Sequence, residues 1–146
     1  LLDEPAGFPR WHQLLVTRPD RQGITFRPFA WELRPSEPRI RGRVAFLTDA
    51  GTCGRAEALL CAVQHYGLAE IVGEPTAGTD GEVVRLPLPG GYEIRVTGTK
   101  ALGPDGSHHH GEGIHPTTPA RRTLAGVASG RDEVLDRAIE ILRERD

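Results

Sequence analysis

The strongest pattern in the chain is a change of period between Val44 and Val63. Val44-Ala45-Phe46-Leu47 is an unbroken apolar run between turn residues, which predicts a short strand buried on both faces. Asp49, Gly51, Thr52 and Gly54 then make a tight polar turn. From Arg55 the apolar positions Ala56, Leu59, Leu60 and Val63 recur at helical spacing, with Glu57 and Gln64 off that stripe. Tyr66-Gly67 stops the helix, because glycine suits the left-handed position past a helix end. Ala69 to Glu74 reads as a second buried strand. Strand, helix and strand on short links imply a right-handed parallel crossover.

Further along, Tyr92, Ile94 and Val96 alternate with Glu93, Arg95 and Thr97, the signature of a half-buried strand. With Val83, Val84, Leu86 and Leu88 before it and Gly90-Gly91 as the turn, residues 82–102 predict a β-hairpin. From Arg131 to Asp146, Val134, Leu135, Ala138, Ile139 and Leu142 form one apolar stripe of a closing helix. Ser129 or Asp132 can cap its start, and Arg137, Arg143 and Arg145 favour its C-terminal half. Residues 1–42 hold Pro5, Pro9, Pro19, Pro28, Pro35 and Pro38, a density that predicts irregular chain. Trp11, Leu14, Leu15, Val16, Phe26, Phe29, Trp31 and Leu33 are too apolar for a free linker, so an extended arm packed on the core is expected.

Composition narrows the function classes. The 146 residues suffice for one domain, and a net charge of −2 with a pI near 6.3 offers no electrostatic case for nucleic acid. No apolar run reaches the roughly 20 residues of a membrane span. The chain begins at Leu1 and has no methionine, so an excised piece of a longer protein is expected. Cys53 and Cys61 lie two helical turns apart, poorly placed to bond, and both are expected reduced.

Four segments together resemble the tail-specific or C-terminal-processing serine peptidases, whose relatives include the tricorn protease core and the interphotoreceptor retinoid-binding modules. The family has an apolar strand followed by Ser-x-x-Glu opening a helix; here Glu57 matches and Gly54 stands in the Ser position. A Gly-Glu-Pro-Thr-x-Gly motif is matched by Gly73, Glu74, Pro75, Thr76 and Gly78, and Gly-x-Gly-Ile-x-Pro by Gly111, Gly113, Ile114 and Pro116. The amphipathic closing helix is the fourth. The resemblance implies an α/β, crotonase-like core of βαβ units with a β-hairpin, of which residues 43–146 would be the C-terminal portion. It also implies an upstream partner segment of the same catalytic domain, peptide or protein substrates, and homo-oligomers in some members. Family members are often exported or periplasmic, but these residues fix no compartment.

The resemblance also sets expectations for the chemistry. The nucleophile is absent at Gly54, either by nature or by replacement, so the chain as written is expected to be inactive. The Arg55 backbone amide matches the family's oxyanion donor. The dyad lysine of some members falls on Thr79, and Lys100 lies too far along. In tricorn-like members a Glu falls on His110, with Glu112 as the alternative register, and His110 is taken as a possible proton relay. Cys53 is one residue off register and is expected to be a small buried or half-buried side chain. Asp80 and Asp105 read as turn residues. His108, His109, His110 and His115 lack metal-ligand spacing, so no metal and no cofactor is expected. Two functions follow: part of a serine-type peptidase acting on peptides or protein tails, or a non-enzymatic binding module for apolar ligands.

Overall fold

A computed structural model describes residues 1–20 and 22–144. The period change is realised as strand β3 (Ala45–Thr48), helix α1 (Arg55–Tyr66) and strand β4 (Glu70–Gly73). β3 and β4 are parallel, with Ala45 opposite Glu70 and Thr48 opposite Gly73. Gly67 closes α1 at φ 61°, ψ 35°, the left-handed cap expected of it. A two-residue strand, β8 (Thr118–Pro119), joins the other edge of β4, giving the order β3-β4-β8.

Adjacent residues of β4 point to opposite faces, and this stacks the layers. Ile71 faces α1, in a cluster with Leu60, Cys61, Val63 and Ile114. Val72 faces the closing helix α3 (Glu133–Glu144), in a cluster with Ala138 and Ile141. α3 therefore turns Val134, Ala138 and Ile141 inward, spaced i, i+4, i+7. The predicted stripe is corrected here, because Leu135 and Ile139 are exposed. Asp132 supplies the cap, accepting from the Leu135 amide at 3.1 Å; Ser129 instead closes the short helix α2 (Leu124–Ala128). Arg145 lies outside the described residues.

The N-terminal segment is not irregular. β1 (Ala6–Leu15) and β2 (Thr25–Leu33) form an antiparallel pair, and β7 (Thr99–Leu102) adds to the free side of β1. The prolines survive because of where they sit. Pro28 lies on the edge strand β2, and Pro9 lies where the β1 register shifts between Gly7 and Arg10. Trp11 of β1 packs on Ala58 of α1, so this sheet covers the face of α1 opposite the parallel sheet.

Two burial expectations fail for one reason, an element at the margin of its sheet. β3 is an edge strand, and its Leu47 is 44% exposed rather than buried. The hairpin of β5 (Val83–Pro87) and β6 (Glu93–Thr97) forms with Gly90 and Gly91 at positive φ in its turn. It stands as a two-stranded sheet, exposed on both faces rather than half-buried. Thr99–Leu102 leaves it for β1. Among the described residues no helix is long and apolar enough to cross a membrane.

The parallel sheet and the β5–β6 hairpin differ sharply in burial, so mutations should separate them. Ile71→Ala is expected to cost about 3 kcal/mol by leaving a cavity between β4 and α1. Val96→Ser on the exposed hairpin should change stability by only about 0.5 kcal/mol. Urea unfolding of both variants checks this, and equal losses would contradict the layer assignment.

Candidate functional site

The site grows out of the turn between β3 and α1. Thr48 ends β3 buried, its hydroxyl donating to the Glu74 carbonyl at 2.9 Å. The Thr52 amide donates to the Asp49 carbonyl at 2.9 Å and the Gly51 amide to the Asp49 carboxylate at 2.9 Å. The chain then passes through Gly54, the N-cap of α1, at φ 61°, ψ −122°. L-residues rarely adopt this conformation, and glycine does so freely. Apart from its chain neighbours Cys53 and Arg55, nothing lies within 4 Å of where a β-carbon on Gly54 would stand, so the position opens onto space. The amides of Arg55 and Ala56, in the first turn, have no acceptor within the helix.

Glu57 corrects the predicted helix stripe. It is 1% exposed, whereas Leu59, assigned to the stripe, is 40% exposed and Ala56 is also exposed. The buried carboxylate is held by donors. Gly54 N donates to Oε2 at 2.9 Å, the half of a capping box that a glycine cap can still make. Thr79 N donates to the same oxygen at 2.9 Å, and Thr76 Oγ1 to Oε1 at 2.6 Å, with Gly78 N beside it. Burial alone would raise the pKa of Glu57. The Thr76 hydroxyl and the amides of Thr79, Gly78 and Gly54 outweigh it and hold the carboxyl below its ordinary value.

Through Glu57 the loop after β4 is fastened to the helix start. The same loop is backed by residues 111–114. Thr76 Oγ1 accepts from Ile114 N at 2.8 Å, and Gly111 N donates to the Gly78 carbonyl at 2.8 Å. A β-carbon on Gly113 would come within 2.3 Å of the Thr76 carbonyl oxygen, so only glycine allows this approach. The three sequence motifs thus form one hydrogen-bonded unit.

Beside this unit lies a cavity of about 410 Å³. Gly54 and Arg55 form one side, Trp11, Phe29 and Trp31 another, and Asp80 a third. The Trp11 and Phe29 rings stack at 5.7 Å and Trp11 meets Trp31 at 5.2 Å. The Arg55 guanidinium lies 5.6 Å from the centre of the Trp31 ring and 3.6 Å from Glu82. Asp80 is not a surface turn residue: it is 5% exposed and accepts from the Trp11 indole. Burial pushes its carboxyl above the ordinary value and the Glu57 charge adds to that. The Gly81 amide, the Trp11 indole and His109 pull the other way. The sequence signal for Asp80 was masked by its Gly-Thr-Asp-Gly setting, which reads as a turn whether or not the side chain is buried.

The structure does not bring His110 to Gly54. His110 is exposed and lines a separate groove with His108, Leu14 and Phe26. Glu112 is exposed as well. The inward histidine is His109, whose Nε2 lies 3.0 Å from Ser107 Oγ and 3.1 Å from Cys61 Sγ. Burial, with the Asp105 and Asp80 charges, pushes the Cys61 thiol up to about 12, so it is a neutral packing group. Cys53, expected buried or half-buried, is exposed; both cysteines are free. Among the described residues no three His, Cys, Asp or Glu side chains gather as metal ligands.

A strand, a sharp turn through a positive-φ residue and a helix with open first-turn amides make a hydrolase-type elbow. The model of peptidase family S41 matches residues 7–120, and the chain belongs to that family. The carboxy-terminal processing protease CtpB of Bacillus subtilis is 32% identical over 74 residues, 51% of this chain and 15% of that protein. A putative peptidase from Parabacteroides merdae superposes with a TM-score of 0.78 at 22% identity, over 97% of this chain and 44% of that one. The tricorn protease superposes with a TM-score of 0.65 at 17% identity, over 90% of this chain and 12% of that one. The chain therefore spans less than half the length of each of these proteins.

Glu57→Ala should cost about 3 kcal/mol or more, since it strands several buried donors. The pH dependence has a fixed sign. A carboxyl with a depressed folded pKa stabilises above its unfolded value, near 4.5, and that stability is lost as pH falls through the folded pKa. Urea midpoints across pH 3 to 6, on the order of the range Glu57 spans, should fall at the acid end in the native chain and be flatter in Glu57→Gln. A Glu57→Gln chain with the native pH slope would contradict this assignment.

Proposed function

We propose that this chain is the C-terminal portion of a serine-peptidase-type catalytic domain that engages peptides or protein tails and, with Gly54 at the nucleophile position, does not cleave them. The observation that carries this reading is Gly54 itself, an N-cap at φ 61° with open space around its would-be side chain, on the wall of a cavity. In this reading the Arg55 amide is the oxyanion donor, left without a reaction to serve. The dyad base is missing too, because the lysine position holds Thr79, whose amide is committed to Glu57. His110 has no part in it, since it faces another groove.

The wider architecture fits a crotonase-like core. Residues 43–146 supply the βαβ unit and closing helix, and residues 1–42 the hairpin packed on α1. A parallel strand normally has neighbours on both sides, and β3 has one among the described residues. Its open edge is where an upstream part of the domain would pair. The aromatic lining of the cavity supports a second reading, a non-enzymatic module for apolar ligands.

Labelling by a fluorophosphonate probe tests the first reading. The native full-length protein should remain unlabelled, and the Gly54→Ser, Thr79→Lys double variant should be labelled well above Gly54→Ser alone. Serine at φ 61° carries backbone strain of about 1–3 kcal/mol, so a matching drop in stability is expected. Peptide cleavage by the native protein would end the reading. A folded double variant that stays unlabelled, with Trp31 fluorescence quenched by a fatty acid, would favour the apolar-ligand module.

A further inference from the structure

The lining of the cavity beside Gly54 holds more acidic than basic groups. It contains one cation, Arg55, and two carboxyls, Glu82 and Asp80. Arg55 and Glu82 face each other at 3.6 Å on the rim and offset one another. Asp80, deep in the wall, makes no ion pair with an Arg or Lys among the described residues. The uncharged Trp11 indole and Gly81 amide engage its carboxyl, and the cationic group that also acts on it, His109, bonds to Ser107 and Cys61 and is not part of the cavity lining. A buried carboxylate without a direct ion pair is costly and gains from a cation. The wall opposite is aromatic, and one cation already rests on it: the Arg55 guanidinium over Trp31.

We propose that this cavity receives a cationic side chain, that of a lysine or arginine in a bound peptide, with Asp80 as counter-charge and Trp31, Phe29 and Trp11 as the wall. The proposal rests on the peptide-binding reading above and specifies the residue recognised. An anionic side chain would meet Asp80 and Glu82 at close range. A purely apolar one would cover Asp80 while giving it nothing in return. A cation satisfies both the carboxylate and the ring faces. It would also lower the pKa of Asp80, reversing the upward push that burial gives it. Arg55 acts as a competitor: its side chain is largely exposed, and Glu82 is its ion-pair partner among the described residues, so it can swing off Trp31 as a ligand enters.

The test is a set of blocked pentapeptides, acetyl-Ala-Ala-Xaa-Ala-Ala-amide, with Xaa as Lys, Arg, norleucine or Glu. Binding to the native protein is read from Trp fluorescence and calorimetry. Lys and Arg peptides should bind about tenfold tighter than norleucine, and Glu weakest. Asp80→Asn, which keeps an acceptor for the Trp11 indole, should erase the Lys-over-norleucine preference. Arg55→Ala should increase it, an effect that a loss of fold would not produce. Equal binding of Lys and norleucine would overturn the proposal while leaving the peptide-binding reading in place. Tighter binding of Glu would overturn it as well. If no peptide binds, N-acetyl-lysine methylamide is the remaining probe: Asp80-dependent quenching by it supports the cation site without the peptide reading, and no response overturns both.

Discussion

A single buried carboxylate decides the shape of this site. Glu57 lies in the first turn of α1, yet it bonds backward to Gly54 and outward to Thr76, Gly78 and Thr79. Removing it would free the loop after β4 from the helix start, and with that loop go Asp80 and the cavity wall. A hydrophobic residue could fill the same volume, but it could not satisfy the surrounding amides. The charge is therefore not incidental to the packing; it is what makes the turn and loop one rigid body.

That arrangement also explains why a glycine at position 54 leaves the elbow intact. The capping box has two halves, and glycine removes only the hydroxyl half. The Glu57 half remains, and the positive-φ backbone is one that glycine holds without strain. A cap without a side chain is thus tolerated here. A serine in the same place would need the surrounding loop to hold it in an unfavourable conformation, which is the kind of strain active sites store.

Much of this was legible in the residues, for identifiable reasons. The apolar run before Asp49 and the helical period after Gly54 locate β3, α1 and β4 to within a residue, because short-range patterning dictates them. Gly67 announces its own cap. What the pattern could not give was the partner of each face. Glu57 lies off the apolar stripe in the sequence, and only the loop 74–81 folding over it reveals the buried donors. Asp80 was read from its glycine-rich neighbours rather than from Trp11, sixty-nine positions away on a strand that prolines had disguised. The histidine run does not say which ring turns inward; His109 does so because Ser107 and Cys61 are there to meet it.

The exposed hairpin follows from the same distinction between local and distant information. Its alternation is correct for a strand with one face covered, and β5 and β6 pair in the register the turn imposes. Nothing among the described residues covers either face, although Val83, Leu86, Ile94 and Val96 would all favour burial. An isolated two-stranded sheet is marginal in water, so its persistence here depends on anchoring at its base. One anchor is Gly98, whose amide donates to the Glu82 carbonyl; the other is the continuation through Thr99 into β7, pinned to β1. Thr99 also accepts from the Glu82 amide at 2.7 Å. The hairpin base is thus stitched to the residue that tethers Arg55, and its position constrains the rim of the cavity even though its own faces are bare.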